Sequence, residues 1–187
     1  MADGPTDVTG RAVRCWLLLW AALWSVALSV ASANSVTVVA ASDLSADMRL
    51  VVSGRMPLML VITREDCGYC DLLKRAVINP MILSGEYQDR VIIREISIDR
   101  PTTLVDFSGR EVSPFAVADS YDAFLTPAVL LVGPKGAELH DRLLGISNED
   151  MYLFYLDQAI ERATERLHRE LDASDTRGLD QGQGITL

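Results

Sequence analysis

Leu58-Met59-Leu60-Val61-Ile62, then Thr63-Arg64-Glu65-Asp66, then Cys67-Gly68-Tyr69-Cys70: this stretch decides the fold. A five-residue apolar run that ends in charge is the pattern of a strand buried on both faces. From Cys67 to Asn79 the spacing predicts a helix, with Leu72, Leu73, Ala76 and Val77 on one side and Lys74 and Arg75 elsewhere. Pro80 is expected to end it, because proline cannot donate to the helical ladder.

Upstream, Asp43 to Val52 places Leu44, Met48, Val51 and Val52 at helical spacing, which predicts a short leading helix ended near Gly54 and Pro57. Downstream, Val91 to Ile98 reads as a second strand, apolar at first and alternating at Glu95-Ile96-Ser97-Ile98. Pro101 to Pro114 holds turn formers and is read as irregular; Phe115 to Phe124 reads as a helix. Thr126-Pro127 leads into a strand from Ala128 to Val132, Gly133-Pro134-Lys135-Gly136 is a turn, and Ala137 to Leu144 returns as the hairpin partner, broken at Gly145. Ser147-Asn148-Glu149-Asp150 has the form of a capping box, and Leu153, Leu156, Ile160, Ala163 and Leu167 keep one apolar stripe along a long helix. The polar, Gly-rich stretch 171–187 is expected to be a disordered tail. Helical crossovers early and a hairpin late make an α/β domain with a central mixed sheet flanked by helices.

Residues 1–33 read as an address. Arg11 and Arg14 precede an uncharged apolar run from Cys15 to Val30, which closes in Ala31-Ser32-Ala33, the layout of a secretory signal peptide. A retained membrane anchor is the alternative, since no charge appears from Cys15 to Ser42. Either reading puts the rest of the chain outside the cytoplasm, in the periplasm by expectation. Cleavage removes Trp16, Trp20, Trp24 and Cys15, leaving a mature chain without tryptophan and with two cysteines, Cys67 and Cys70. The domain limits are then 34–54 for a leader and short helix and 55–170 for the main domain.

Composition excludes several classes. With 187 residues there is room for one domain with its own core, and a net charge of -9 without a Lys/Arg cluster argues against nucleic acid as a partner. No Gly-rich phosphate loop occurs. His140 and His168, far apart in sequence, offer neither a His-rich metal site nor a Ser/His/Asp triad and read as a strand residue and a helix-surface residue.

The chemistry therefore falls to the cysteine pair. A helix that opens on Cys-x-x-Cys aims its free N–H groups and dipole at the first cysteine, favouring the thiolate. Cys67 is the expected nucleophile, and Cys70, one turn deeper, the expected resolving thiol. Two bland readings compete. A structural disulfide closing so short a loop stabilises little, and a metal site finds only two ligands where zinc needs four.

Cys67-Gly68-Tyr69-Cys70 after an apolar strand, Thr126-Pro127 before the next strand and Gly145 before the final helix together resemble the thioredoxin superfamily, over about Arg55 to Arg166. The layout is similar to small secreted, SoxW-like thioredoxins, and the Gly-Tyr pair to periplasmic disulfide isomerases. The resemblance implies a thioredoxin fold, a thiol-disulfide oxidoreductase whose redox centre is the Cys67–Cys70 disulfide with no other cofactor, protein thiol or disulfide substrates, and a membrane thiol-reductant donor. It implies a cis Pro127 facing the cysteines, with the Thr126 backbone pairing with substrate and Gly68 and Tyr69 shaping the site; an ordinary trans proline is the alternative. Isomerases of this kind carry a separate N-terminal dimerisation domain, so a monomer is expected. Two departures stand out: Val61 where many thioredoxins have a buried acid, and Asp66 where they have tryptophan. Glu65 and Asp66 are the candidate replacement proton acceptors for Cys70, against the plainer reading of solvated helix caps. A non-catalytic metal- or client-binding protein on the same scaffold, and an oxidant or isomerase within the same chemistry, are the competing functions.

Overall fold

Leu58 to Ile62 has no exposed surface, and its neighbours on both sides explain why. The computed structural model describes residues 37–182, with side chains up to residue 176. The expected signal segment 1–33, its tryptophans and Cys15 lie outside the described residues. In chain order the elements are α1 (Leu44–Gly54), β1 (Leu58–Thr63), α2 (Gly68–Leu73), a π-helical turn (Lys74–Ile78), α3 (Asn79–Ser84), β2 (Ile92–Ser97), β3 (Leu104–Val105), β4 (Glu111–Val112), α4 (Pro114–Asp119), β5 (Ala128–Val132), β6 (Leu143–Leu144) and α5 (Glu149–Gly182).

The main sheet runs β2-β1-β5-β6, with β1 parallel to β2 and antiparallel to β5. This is the mixed sheet flanked by helices that the order of sequence patterns predicts. Successive residues of β2 point to opposite faces, and their charged partners mark the two helical layers. Arg94 reaches Asp47 on α1 with two bonds of 2.7 and 3.0 Å, whereas Glu95 reaches Lys74 in the π turn at 3.1 Å. Beyond β2, Val39 to Ala41 adds a short extended segment, with Ala41 N–H on Glu95 O at 2.8 Å and Glu95 N–H on Val39 O at 2.9 Å, which covers part of the sheet's edge.

The chain passes Pro80 without a break. The π turn widens the helix just ahead of it, with Asn79 N–H bonded to Lys74 O five residues back, and Pro80 sits in the first turn of α3, where a missing N–H costs little. The same turn inserts a residue into the helical count and corrects the predicted stripe: Ala76 is exposed, and Lys74 is turned to the sheet.

Five other expectations are corrected. The stretch 101–114 contains the β3–β4 hairpin, Leu104 opposite Val112; Asp106 holds its turn by accepting from the N–H of Ser108 and of Arg110. The helix expected over Phe115 to Phe124 spans only Pro114–Asp119. The return strand predicted over Ala137 to Leu144 pairs continuously only at Leu143–Leu144, because the chain bulges between the Val132–Glu138 bridge and the Val129–Leu143 pair, with Arg142 tied to Glu138 and to the carbonyl of Tyr121. The residue capping α5 is Asn148, which accepts from Met151 N–H at 3.3 Å, in place of the Ser147 box. The helix also continues to Gly182, past the expected start of the tail at residue 171: Leu171 is buried and Asp172 meets Arg55 at 2.7 Å, so this turn still has the domain to pack on.

Among the described residues, Gly136 is the glycine with the tightest surroundings. Its φ is +78°, and a Cβ there would come within 2.6 Å of Phe107 and 2.7 Å of the Tyr121 hydroxyl, which donates to Gly136 O. Gly136→Ala is expected to cost about 2–3 kcal/mol from overpacking and the left-handed backbone together, read as a lower urea midpoint at unchanged slope.

Candidate active site

The apolar strand β1 delivers the chain to the end of the sheet, and Asp66, at φ 52°, turns it into the helix. Cys67 is the N-cap of α2, with extended backbone angles (φ -108°, ψ 95°); its Sγ accepts from Cys70 N–H at 3.2 Å, and its carbonyl from Cys70 N–H at 2.9 Å and Asp71 N–H at 3.1 Å. A sulfur so placed takes the position an N-cap oxygen usually fills, where the free N–H groups of the first turn favour negative charge. Cys67 and Cys70 are joined as a disulfide. Cys67 keeps 8% of its surface and Cys70 1%.

Thr126 and Pro127 come to the same end of the sheet at the start of β5, the strand beside β1. The Thr126–Pro127 peptide is cis, and Thr126 Oγ1 lies 3.6 Å from Cys67 Sγ. Pro127 is buried, and its carbonyl accepts from Gly145 N–H at 2.8 Å, so the start of β5 is fixed from behind by the residue that follows β6. Gly68 is exposed with open space where a Cβ would stand, and Tyr69 is 66% exposed. Phe124 and Leu125, ahead of Thr126, are also exposed, and Phe124 leans on Phe115 with ring centroids 6.0 Å apart.

Glu65 and Asp66 are both exposed. The Glu65 N–H is held by both carboxylate oxygens of Asp99 at 2.9 and 3.0 Å, a bond that is the main reason the Asp99 carboxyl sits below its ordinary range. The Glu65 side chain itself points out toward Arg100, 3.9 Å away. Beneath the helix the arrangement is different: Glu95 accepts from Thr63 Oγ1 at 2.8 Å and from Lys74 Nζ at 3.1 Å, with Glu95 13% and Lys74 27% exposed. The sequence reading missed this group. The signals available were Lys74 four residues after Cys70, hence on the same helix face, and a single acid in an alternating strand.

His140 and His168 stand apart from this centre; His168 Nε2 lies 2.9 Å from the carbonyl of Arg55 and His140 Nδ1 2.7 Å from that of Asp141. Among the described residues, no group of three or more His, Cys, Asp or Glu side chains is placed to hold a metal ion, and no helix is long and apolar enough to cross a membrane.

The thioredoxin-like domain model matches residues 44–160, which include both cysteines, Thr126 and Pro127. The chain belongs to the thioredoxin-like domain family. With the cysteine pair joined as a disulfide at C-x-x-C spacing in this domain, it is a thiol-disulfide oxidoreductase. The model describes the thioredoxin-like domain at large and does not reach the SoxW-like subtype. Solved structures similar to this thioredoxin-like chain include a thioredoxin-fold protein from Helicobacter pylori (19% identity, 68% of this chain and 86% of that one, TM-score 0.46). Mitochondrial thioredoxin 3 from Saccharomyces cerevisiae in its oxidized form is another (18%, 66% and 93%, 0.45). Fasciola hepatica thioredoxin is a third (15%, 67% and 98%, 0.45). No curated protein matches the sequence.

Proposed function

We propose that this chain reduces disulfides in proteins outside the cytoplasm, in the periplasm, with Cys67 as nucleophile and Cys70 as resolving thiol. The observation that carries the reading is the unequal placement of the two sulfurs: Cys67 caps the helix beside Thr126, while Cys70 is almost wholly enclosed. A client disulfide meets Cys67 first. The Cys67 thiolate attacks one client sulfur and expels the other; Cys70 then attacks Cys67 Sγ, releasing the second client sulfur and leaving the Cys67–Cys70 disulfide, so two electrons pass from protein to client. The pair is its own redox centre, and the proposal needs no organic cofactor or metal.

Thr126 and Pro127 are assigned to the client strand, which pairs with the Thr126 backbone. Tyr69, Phe124 and Leu125 supply exposed apolar surface around the disulfide, and Gly68 leaves room above it. The direction follows from charge. Asp66 places a carboxylate directly ahead of Cys67, which opposes the thiolate, whereas a strong oxidant needs it unusually stabilised. Turnover then requires an external electron source, for which a membrane thiol-reductant is the class proposed, and the chain acts as a monomer.

The deciding measurement is the equilibrium reduction potential of the Cys67–Cys70 pair by thiol trapping across a graded redox buffer. A value near about -270 mV is expected. One near about -120 mV makes the protein an oxidant, and a pair that does not exchange at all, combined with stoichiometric Cu(I) or Zn(II) binding, makes it a binding protein.

A further inference from the structure

We infer that Glu95 is the proton acceptor that serves Cys70 during the resolving step, with Lys74 and Thr63 holding its carboxylate in place. The inference rests on exchange through Cys67 and Cys70, whichever direction the electrons flow.

Cys70 has 1% of its surface exposed, so its thiol cannot hand a proton to bulk water directly. Glu65 and Asp66, the acids nearest in sequence, are on the solvent side, and the Glu65 carboxylate is turned to Arg100. Glu95 is on the face of the sheet that α2 and the π turn cover. Its Cα is paired with that of Val61, yet its carboxylate bonds to Thr63, two residues further along β1 toward the cysteines, a displacement of about 7 Å along the strand. From above, Lys74 comes down to the same oxygen from one helical turn beyond Cys70, about 6 Å along the axis. The carboxylate is thus held between sheet and helix, beneath the turn that carries Cys70.

The charged groups around it are few. Lys74 faces it from the π turn, with Asp71 3.6 Å from the same ammonium and 67% exposed. Arg100 lines the adjoining groove and directs its guanidinium to Glu65. Val39 to Ala41, on the other side of β2, meets Glu95 through backbone. Lys74 pairs with the carboxylate at 3.1 Å, and Thr63, itself 1% exposed, fixes its orientation.

In the step itself the Cys70 S–H proton passes to Glu95, directly or across one water, as the Cys70 sulfur bonds to Cys67 Sγ. The Cys67–client bond breaks, the client sulfur leaves with the electron pair as a thiolate, and Glu95 releases its proton to water. The dithiol is oxidised and the client reduced by the same two electrons. A positioned base of this kind contributes roughly 10²-fold or more.

Reaction of the reduced protein with the aromatic disulfide DTNB separates the steps, since attack by Cys67 releases one coloured thiolate and resolution by Cys70 a second. In stopped flow, Glu95→Gln is expected to slow the second release about 10–100-fold and to move its pH midpoint up toward a free thiol's value near about 8.5. Glu95→Asp is expected to restore part of the rate and the lower midpoint. A second release with wild-type rate and pH profile in Glu95→Gln overturns the inference. So does a loss shared equally by both releases and not rescued by Asp, which marks a structural defect. Absence of both releases in the wild-type protein would instead defeat the exchange reading itself.

Discussion

Cys70→Ala is expected to arrest the protein on its clients: covalent adducts through Cys67 accumulate, stable to denaturant and released by dithiothreitol, while turnover of an insulin-type disulfide substrate falls to the background of the reductant alone. The reason is kinetic. A resolving thiol held against the mixed disulfide acts at an effective concentration of about 10⁵ M or more, and external thiol at about millimolar levels cannot replace it, so adduct lifetimes should rise at least ~1,000-fold. Cys67→Ser should give neither adducts nor turnover, because the remaining sulfur is enclosed. Non-reducing gels and mass spectrometry of extracts from the expressing cells read both results. Adducts formed through Cys70 in a Cys67→Ala protein, with none in Cys70→Ala, would reverse the assigned roles.

Asp47→Ala should be strongly destabilising although it lies far from the cysteines in sequence. Asp47 is 5% exposed, and its two oxygens meet Arg94 Nε and a terminal guanidinium nitrogen at 3.0 and 2.7 Å. That bidentate pair anchors α1 to β2, and removing one partner leaves the other charge enclosed, a loss of about 3 kcal/mol given that the Arg94 side chain keeps 22% of its surface. For a domain of this size the loss lowers the melting temperature by about 6–12 °C. The pair as a whole contributes far less than its rupture costs, so Asp47→Leu with Arg94→Met should recover most of the midpoint. A double variant as unstable as Asp47→Ala would show that the pair, and not the uncompensated charge, carries the stability.

The elements legible in the sequence are those whose evidence is local. The run Leu58 to Ile62 announces a strand because no charge interrupts it, Asp43 before an apolar stripe announces a helix start, and its carboxylate does accept from Ala46 N–H at 2.8 Å. Cys67-Gly68-Tyr69-Cys70 names its chemistry because the spacing brings two sulfurs across one turn. What was not legible depends on partners distant in sequence. Pro80 stops an isolated helix, but a π turn lets a helix packed on a sheet absorb it. The turn at Asp172 looks like the start of a tail until Arg55, far upstream, is seen to meet it. Glu95 reads as one polar position in an alternating strand, and only the register that sets β2 beside β1, and the helix above them, shows that it faces inward.

The order of strands has a consequence in time. β1 lies at the centre of the sheet, yet its antiparallel partner β5 begins 70 residues later at Ala128, and the helix that packs on β5 begins only at Glu149. A nascent chain that has exposed the cysteines has therefore not yet made the strand that faces them. The C-x-x-C segment emerges before Thr126, so the contact of Thr126 Oγ1 with Cys67 Sγ can form only once the carboxyl-terminal half has followed.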